Sequence, residues 1–113
     1  MNNPQSIISE LAADSSRLAK EAILQREFDA KNGDFFDGCK MALDKLVTFG
    51  VKQIDKRDGV DGPGLGWHGF KTVADKLINR ELSGNAARDA IEGLKRASTN
   101  DQWNFWYRRI LLK

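Results

Sequence analysis

Near its C-terminal end the chain sets Trp103, Trp106, Tyr107 and Ile110 three and four residues apart, with Thr99 and Gln102 placed just ahead as a capping box. This spacing predicts a helix starting at Thr99 with three aromatic rings and an isoleucine on one face. Asp101 falls in its first turn, where the helix dipole favours a negative charge. Rings at this spacing serve core packing rather than base stacking. On the opposite side lie Phe105, Arg108, Arg109 and Leu112, so the helix is apolar on two sides and needs two surfaces to pack against.

A second amphipathic helix precedes it. Ser83, Gly84 and Asn85 offer cap candidates ahead of Ala87, Ala90, Ile91 and Leu94, which stand at i, i+3, i+4 and i+7. Further upstream, Asn3-Pro4 reads as a cap with proline at the first helical position, followed by Ile7, Ile8, Leu11 and Ala12 on one face. Asp14-Ser15-Ser16 interrupts and can cap a helix over Arg17–Asp29, whose broad apolar faces (Leu18, Ala22, Ile23, Phe28) suit an outer helix. After a turn at 31–34, a third helix is predicted to about Val47 with Phe36, Cys39, Leu43, Leu46 and Val47 inward. Gly38 inside it implies a close helix crossing, since glycine there otherwise costs up to about 1 kcal/mol. Residues 70–80 place Phe70, Val73, Ala74, Leu77 and Ile78 on one side of a further helix. Between them, residues 48–69 are rich in glycine and charge without a helical period, a connection long enough to be functional or disordered. Trp67 and Phe70 predict an ordered exit from it. Six helices and no convincing strand make an all-α fold, a compact irregular bundle with one long glycine-rich loop.

A chain of 113 residues, 41% hydrophobic and 30% charged, suits one soluble domain covering residues 1–113. No secretory signal or spanning segment is evident, so no membrane role is expected. The single Cys39 has no partner for an internal disulfide, and with one distant His68 it lacks a base for nucleophilic work. A reducing, cytoplasmic setting follows. The formal net charge of +2 does not by itself suggest nucleic acid. Its distribution does more: residues 1–70 carry 9 Lys/Arg against 11 Asp/Glu, whereas 71–113 carry 9 against 5.

In that basic half, Leu82-Ser83-Gly84-Asn85-Ala86-Ala87 opens a helix, and a polar link leads to a last helix ending Arg108-Arg109-Ile110-Leu111-Leu112-Lys113. With Lys20-Glu21-Ala22-Ile23-Leu24 upstream, this order resembles the N-terminal DNA-binding domain of ATP-dependent DNA ligases of the T-even phage type, over nearly the whole chain. The resemblance implies a non-catalytic, monomeric domain that grips double-stranded DNA around a nick by backbone and minor-groove contacts. It also implies an adenylation domain following residue 113 in the same parent chain. ATP and Mg would serve that parent, none being needed by this part, in the cytoplasm of the host cell if phage-encoded.

Several constellations carry two readings. Lys56-Arg57-Asp58-Gly59 matches the Lys-x-Asp-Gly signature of an adenylated lysine, but it precedes the Gly-Asn-Ala-Ala helix and follows no buried strand, so it reads as a charged loop. Gly64 and Gly66 suit a backbone-contacting loop on phosphate or a plain connector. Ser83, Gly84 and Asn85 suit an N-cap, or an uncrowded approach of a helix end to phosphate or minor groove; the resemblance favours the latter. Lys71, Lys76 and Arg80 on the polar side of their helix are candidate phosphate contacts. Arg108 and Arg109 could bind phosphate or complement the helix C-terminus. Arg88 and Arg96 each stand four residues from Glu92, as solvated ion pairs do. Phe105 and Leu112 would be covered by the adenylation domain, or, in a different class of function, would dock a partner of a small helical protein-interaction module with no nucleic-acid role. One histidine, one cysteine and no recognisable carboxylate pair argue against a hydrolytic or redox enzyme.

Overall fold

The computed structural model describes residues 2–112. Among these, six helices and no strand are present: α1 (Pro4–Ala13), α2 (Arg17–Asp29), α3 (Gly33–Leu43), α4 (Trp67–Ile78), α5 (Gly84–Ala97) and α6 (residues 100–112). The all-α bundle with one long glycine-rich connection, residues 44–66, is the architecture the sequence predicts.

The last helix is its centre. Thr99 and Gln102 form both halves of the capping box, and Asn100–Gln102 begins the helix behind it. Residues Trp103–Tyr107 then widen into a π-helical turn before Arg108–Leu112 resumes the α form. Trp103, Trp106, Tyr107 and Ile110 are buried as the spacing requires. The wide turn holds extra residues, which advances the face that follows; Leu111 is buried as well. Trp106 stacks on Phe35 of α3 at 5.6 Å and Tyr107 on Phe70 of α4 at 4.4 Å. Gly38 lies directly against the Trp106 ring, where a Cβ would collide with it. The close crossing expected at Gly38 is thus α3 against α6.

The predicted extent of α3 needs correction. The helix stops at Leu43, because the Asp44 carboxylate accepts the N–H of Leu46 at 2.9 Å and closes a local turn. Its buried positions are Phe35, Gly38 and Met41, one residue out of phase with the expected Phe36 and Cys39, which are only half-buried. Leu43 and Leu46, expected inward, are 80% and 92% exposed.

As an outer helix, α2 buries only Glu27 fully. That carboxylate accepts from the side-chain amides of Asn2 at 2.8 Å and Asn32 at 3.0 Å, and from Arg26 Nε at 2.7 Å. The Asn2 and Asn32 hydrogen bonds, with Arg26 adding to them, outweigh burial and hold its pKa below the ordinary value of 4.5. Arg26 also reaches Glu10 at 2.7 Å, which pins α2 to α1.

Far from being loose, the 44–66 connection is laced to the α5–α6 junction. The Asn104 side chain brackets Arg57, accepting its N–H at 2.7 Å and donating to its carbonyl at 2.6 Å. Arg57 Nε donates to the Lys95 carbonyl, and Asn100 to that of Gly59. Gly62 and Gly64 donate their N–H groups to the carbonyls of Ser98 and Ala97. At Gly62 a Cβ would strike the Arg96 and Ser98 carbonyls, so no larger residue fits. The Gln102 amide pairs with both backbone groups of Leu65, whose carbonyl also accepts the Tyr107 hydroxyl. Trp67 opens α4 three residues earlier than predicted, and Phe70 is fully buried.

Candidate nucleic-acid interface

The lacing sets residues 49–55 alongside α5. Phe49 and Ile54 are buried anchors. Trp103 Nε1 donates to the Asp55 carbonyl at 2.9 Å, and Arg108 Nε to that of Ile54 at 2.7 Å. At the other end Arg80, itself in the left-handed region at φ 60°, spreads its guanidinium over the Thr48 carbonyl, the Thr48 hydroxyl and the Leu77 carbonyl. Gly50, at φ 74°, passes under that guanidinium, where a Cβ would lie 3.0 Å from Nη1.

Between this segment and α5 lies a cavity of about 830 Å³. Its buried lining is apolar: Phe49, Ile54, Ala87 and Ile91. The charged lining is Lys52, Arg80, Arg88 and Lys95 against Asp55 and Glu92, a cationic excess that favours anions. The side chains of Lys52, Arg88 and Lys95 make no hydrogen bond or ion pair among the described residues. Glu92 pairs with Arg96 at 3.5 Å, as the four-residue spacing predicts; the corresponding pair with Arg88 does not form.

The residues singled out from the sequence divide between this groove and elsewhere. Arg80, Ser83 and Gly84 line it. Ser83 caps α5 by position only: its side chain makes no capping bond, Gly84 has φ 55°, and Asn85 is exposed beside it. Lys71 and Lys76 sit on α4 outside the groove, Lys71 3.9 Å from Asp37 and Lys76 exposed. Arg108 is committed to the Ile54 carbonyl, whereas exposed Arg109 lies over the Phe105 ring, 5.7 Å from its centre. Gly64 and Gly66 lie in the loop, where the Gly64 N–H is turned inward onto Ala97 and Gly66 precedes α4. Phe105 is 42% exposed, while Leu112 packs partly against the core. Lys52 and Lys95 escaped the sequence reading because nothing in the chain's order connects residues 49–55 to α5.

Elsewhere the chemistry is quiet. Lys56 is exposed in irregular backbone, in keeping with a charged loop. Cys39 is half-buried, and burial pushes its thiol pKa up, away from reactivity. Among the described residues no cluster of three or more His, Cys, Asp or Glu is placed to hold a metal, and no helix is long and apolar enough to cross a membrane.

Fold and groove together define a helical domain with an anion-favouring cleft. Two solved structures share that fold, named "Pmar-Lig_PreS3" and "Pmar-Lig_Pre". Each is 41% identical in sequence with a TM-score of 0.94 over 99% of this chain. The chain spans only 26% of each of theirs, so it is similar to one part of a larger protein whose name carries the abbreviation for ligase. No family model matches the chain, and neither does any curated protein.

Proposed function

We propose that this chain is the DNA-binding domain of an ATP-dependent DNA ligase of the T-even phage type. It grips duplex DNA around a nick by backbone and minor-groove contacts, while other parts of the parent chain, using ATP and Mg, adenylate and seal the 5′-phosphate. The observation that carries the reading is the likeness, along nearly the whole chain, to one part of structures named as a ligase. The uncommitted cations of the groove and the exposed Lys76, Ser83, Gly84 and Asn85 supply surfaces of the required chemistry. Phosphate contacts without base readout suit a protein that acts at any nick.

The test is a salt titration of binding to a short nicked duplex, with intact duplex and single strand alongside. The expected result is duplex binding on the order of 10⁻⁴–10⁻⁶ M that declines log-linearly with salt. A folded sample that binds no form of DNA at low salt refutes the reading and transfers the assignment to a protein-interaction module.

A further inference from the structure

We infer that the groove between residues 49–55 and α5 seats the sugar–phosphate backbone of one DNA strand, with Lys52, Arg88 and Lys95 on its phosphates and Glu92 keeping the grip weak. The inference rests on the DNA-binding reading and adds where the strand lies and what limits its hold.

Four observations support it. At about 830 Å³ the groove is far larger than a single phosphate needs. Its lining pairs buried apolar side chains with cations at the surface, which matches a strand whose deoxyribose faces are apolar and whose phosphates are anionic. Its three free cations need break no existing contact to meet a phosphate, whereas Arg80 is spent on holding the groove's wall in place. Finally, Arg88 and Lys95 stand seven residues apart on α5, two turns and about 10 Å along its axis on one face. For a duplex strand running along the helix, with an axial rise of about 3.4 Å per phosphate, that interval spans about three phosphates.

Glu92 lies between those two cations and lines the same groove. Its carboxylate is offset only by Arg96, through an exposed ion pair at 3.5 Å. Such a pair is weak and salt-sensitive, so a negative charge remains opposite the strand. This lowers affinity at a place where a sealing enzyme must also let go.

The experiment measures affinity for a nicked duplex across a salt series for four proteins: wild type, the triple variant Lys52→Gln/Arg88→Gln/Lys95→Gln, a control triple Lys20→Gln/Lys31→Gln/Lys45→Gln, and Glu92→Gln. All the substituted groove side chains are surface charges without partners, or in Glu92 an exposed pair, and circular dichroism verifies the fold. The groove triple is expected to lose more than about 10-fold at low salt and to flatten the log–log salt slope by about 2–3. The control should stay within about 2-fold with its slope unchanged, since it leaves the phosphate contacts intact. Glu92→Gln should bind about 3- to 10-fold tighter at low salt, with the gain fading as salt rises. Equal weakening of the two triples, or a groove triple that binds like wild type, overturns the groove assignment while leaving the DNA-binding reading in place. Wild type that binds no DNA overturns both. Unchanged affinity in Glu92→Gln removes its braking role. If polyglutamate binds wild type as tightly as duplex does and the groove triple abolishes that binding, the occupant is an acidic protein segment and the strand assignment fails.

Discussion

Two glycines inside helices, Gly38 in α3 and Gly93 in α5, respond to the same substitution with opposite signs. Helix propensity alone predicts that Gly→Ala stabilises each by about 1 kcal/mol. At Gly93 nothing lies within 4 Å of the added carbon, so that gain should appear in full. At Gly38 the new Cβ would stand 2.9 Å from Trp106 Cη2 and closer still to Cζ2, well inside the 3.5–4.0 Å at which carbon atoms rest. Trp106 cannot readily retreat, being only 5% exposed and stacked on Phe35. Overpacking costs about 1–3 kcal/mol, and contacts this short on a ring held in place put Gly38 in the upper part of that range, at about 2–3 kcal/mol. Set against the propensity gain, the net loss for Gly38→Ala is about 1–2 kcal/mol, or roughly 4–8 °C in Tm at about 4 °C per kcal/mol. Urea unfolding followed by tryptophan fluorescence reads both variants, with unchanged m-values confirming that the shift is one of stability. Gly38→Ala as stable as wild type would show that α3 and α6 do not cross where the structure puts them.

Glu27→Gln should destabilise by about 2 kcal/mol at neutral pH, because it removes the charge that two amides and a guanidinium are arranged to meet. Since folding lowers the Glu27 pKa, the unfolded state binds more protons; the carboxylate's contribution is full above 4.5 and fades as pH falls through the lower folded value. Acid unfolding curves of the variant should therefore be flatter below 4.5, and a parallel curve would contradict the assignment. Asn104→Ala removes both bonds that bracket Arg57 and should cost about 1–3 kcal/mol while opening residues 55–62 to limited proteolysis; protection equal to wild type would be the contrary result. Tyr107, pushed up to about 12 by burial first and Asp34 second, should show no phenolate absorbance until above about pH 11, and Tyr107→Phe should cost about 1 kcal/mol through the lost bond to Leu65.

How much of this was legible in the sequence depended on the range of the interaction. Cap and stripe signals act within a turn or two, and they located the start of α6, its buried Trp103, Trp106, Tyr107 and Ile110, and the inward faces of α4 and α5. Where a side chain competed locally with the helix the periodic reading overran, as at Asp44, which ends α3 before Leu46. The π-helical turn carried no signal, since an aromatic run reads the same in either helix type. Order in the glycine-rich loop was invisible because its partners Asn100, Gln102, Asn104 and Tyr107 stand roughly forty or more residues away. The groove was hidden for the same reason: Lys52 and Lys95 become neighbours only once the loop has been folded back onto α5.

That long-range lacing has a consequence for the order in which the molecule is made. Arg57 waits for Asn104, and Leu65 for Gln102 and Tyr107, before their backbone groups find partners. At synthesis rates of about 5–20 residues per second, the loop spends on the order of 2–10 seconds exposed before its fastenings exist. A nascent chain halted before residue 100 therefore lacks both the fastenings of its middle and the helix on which Phe35 and Phe70 stack, the state in which a protease or chaperone would meet it.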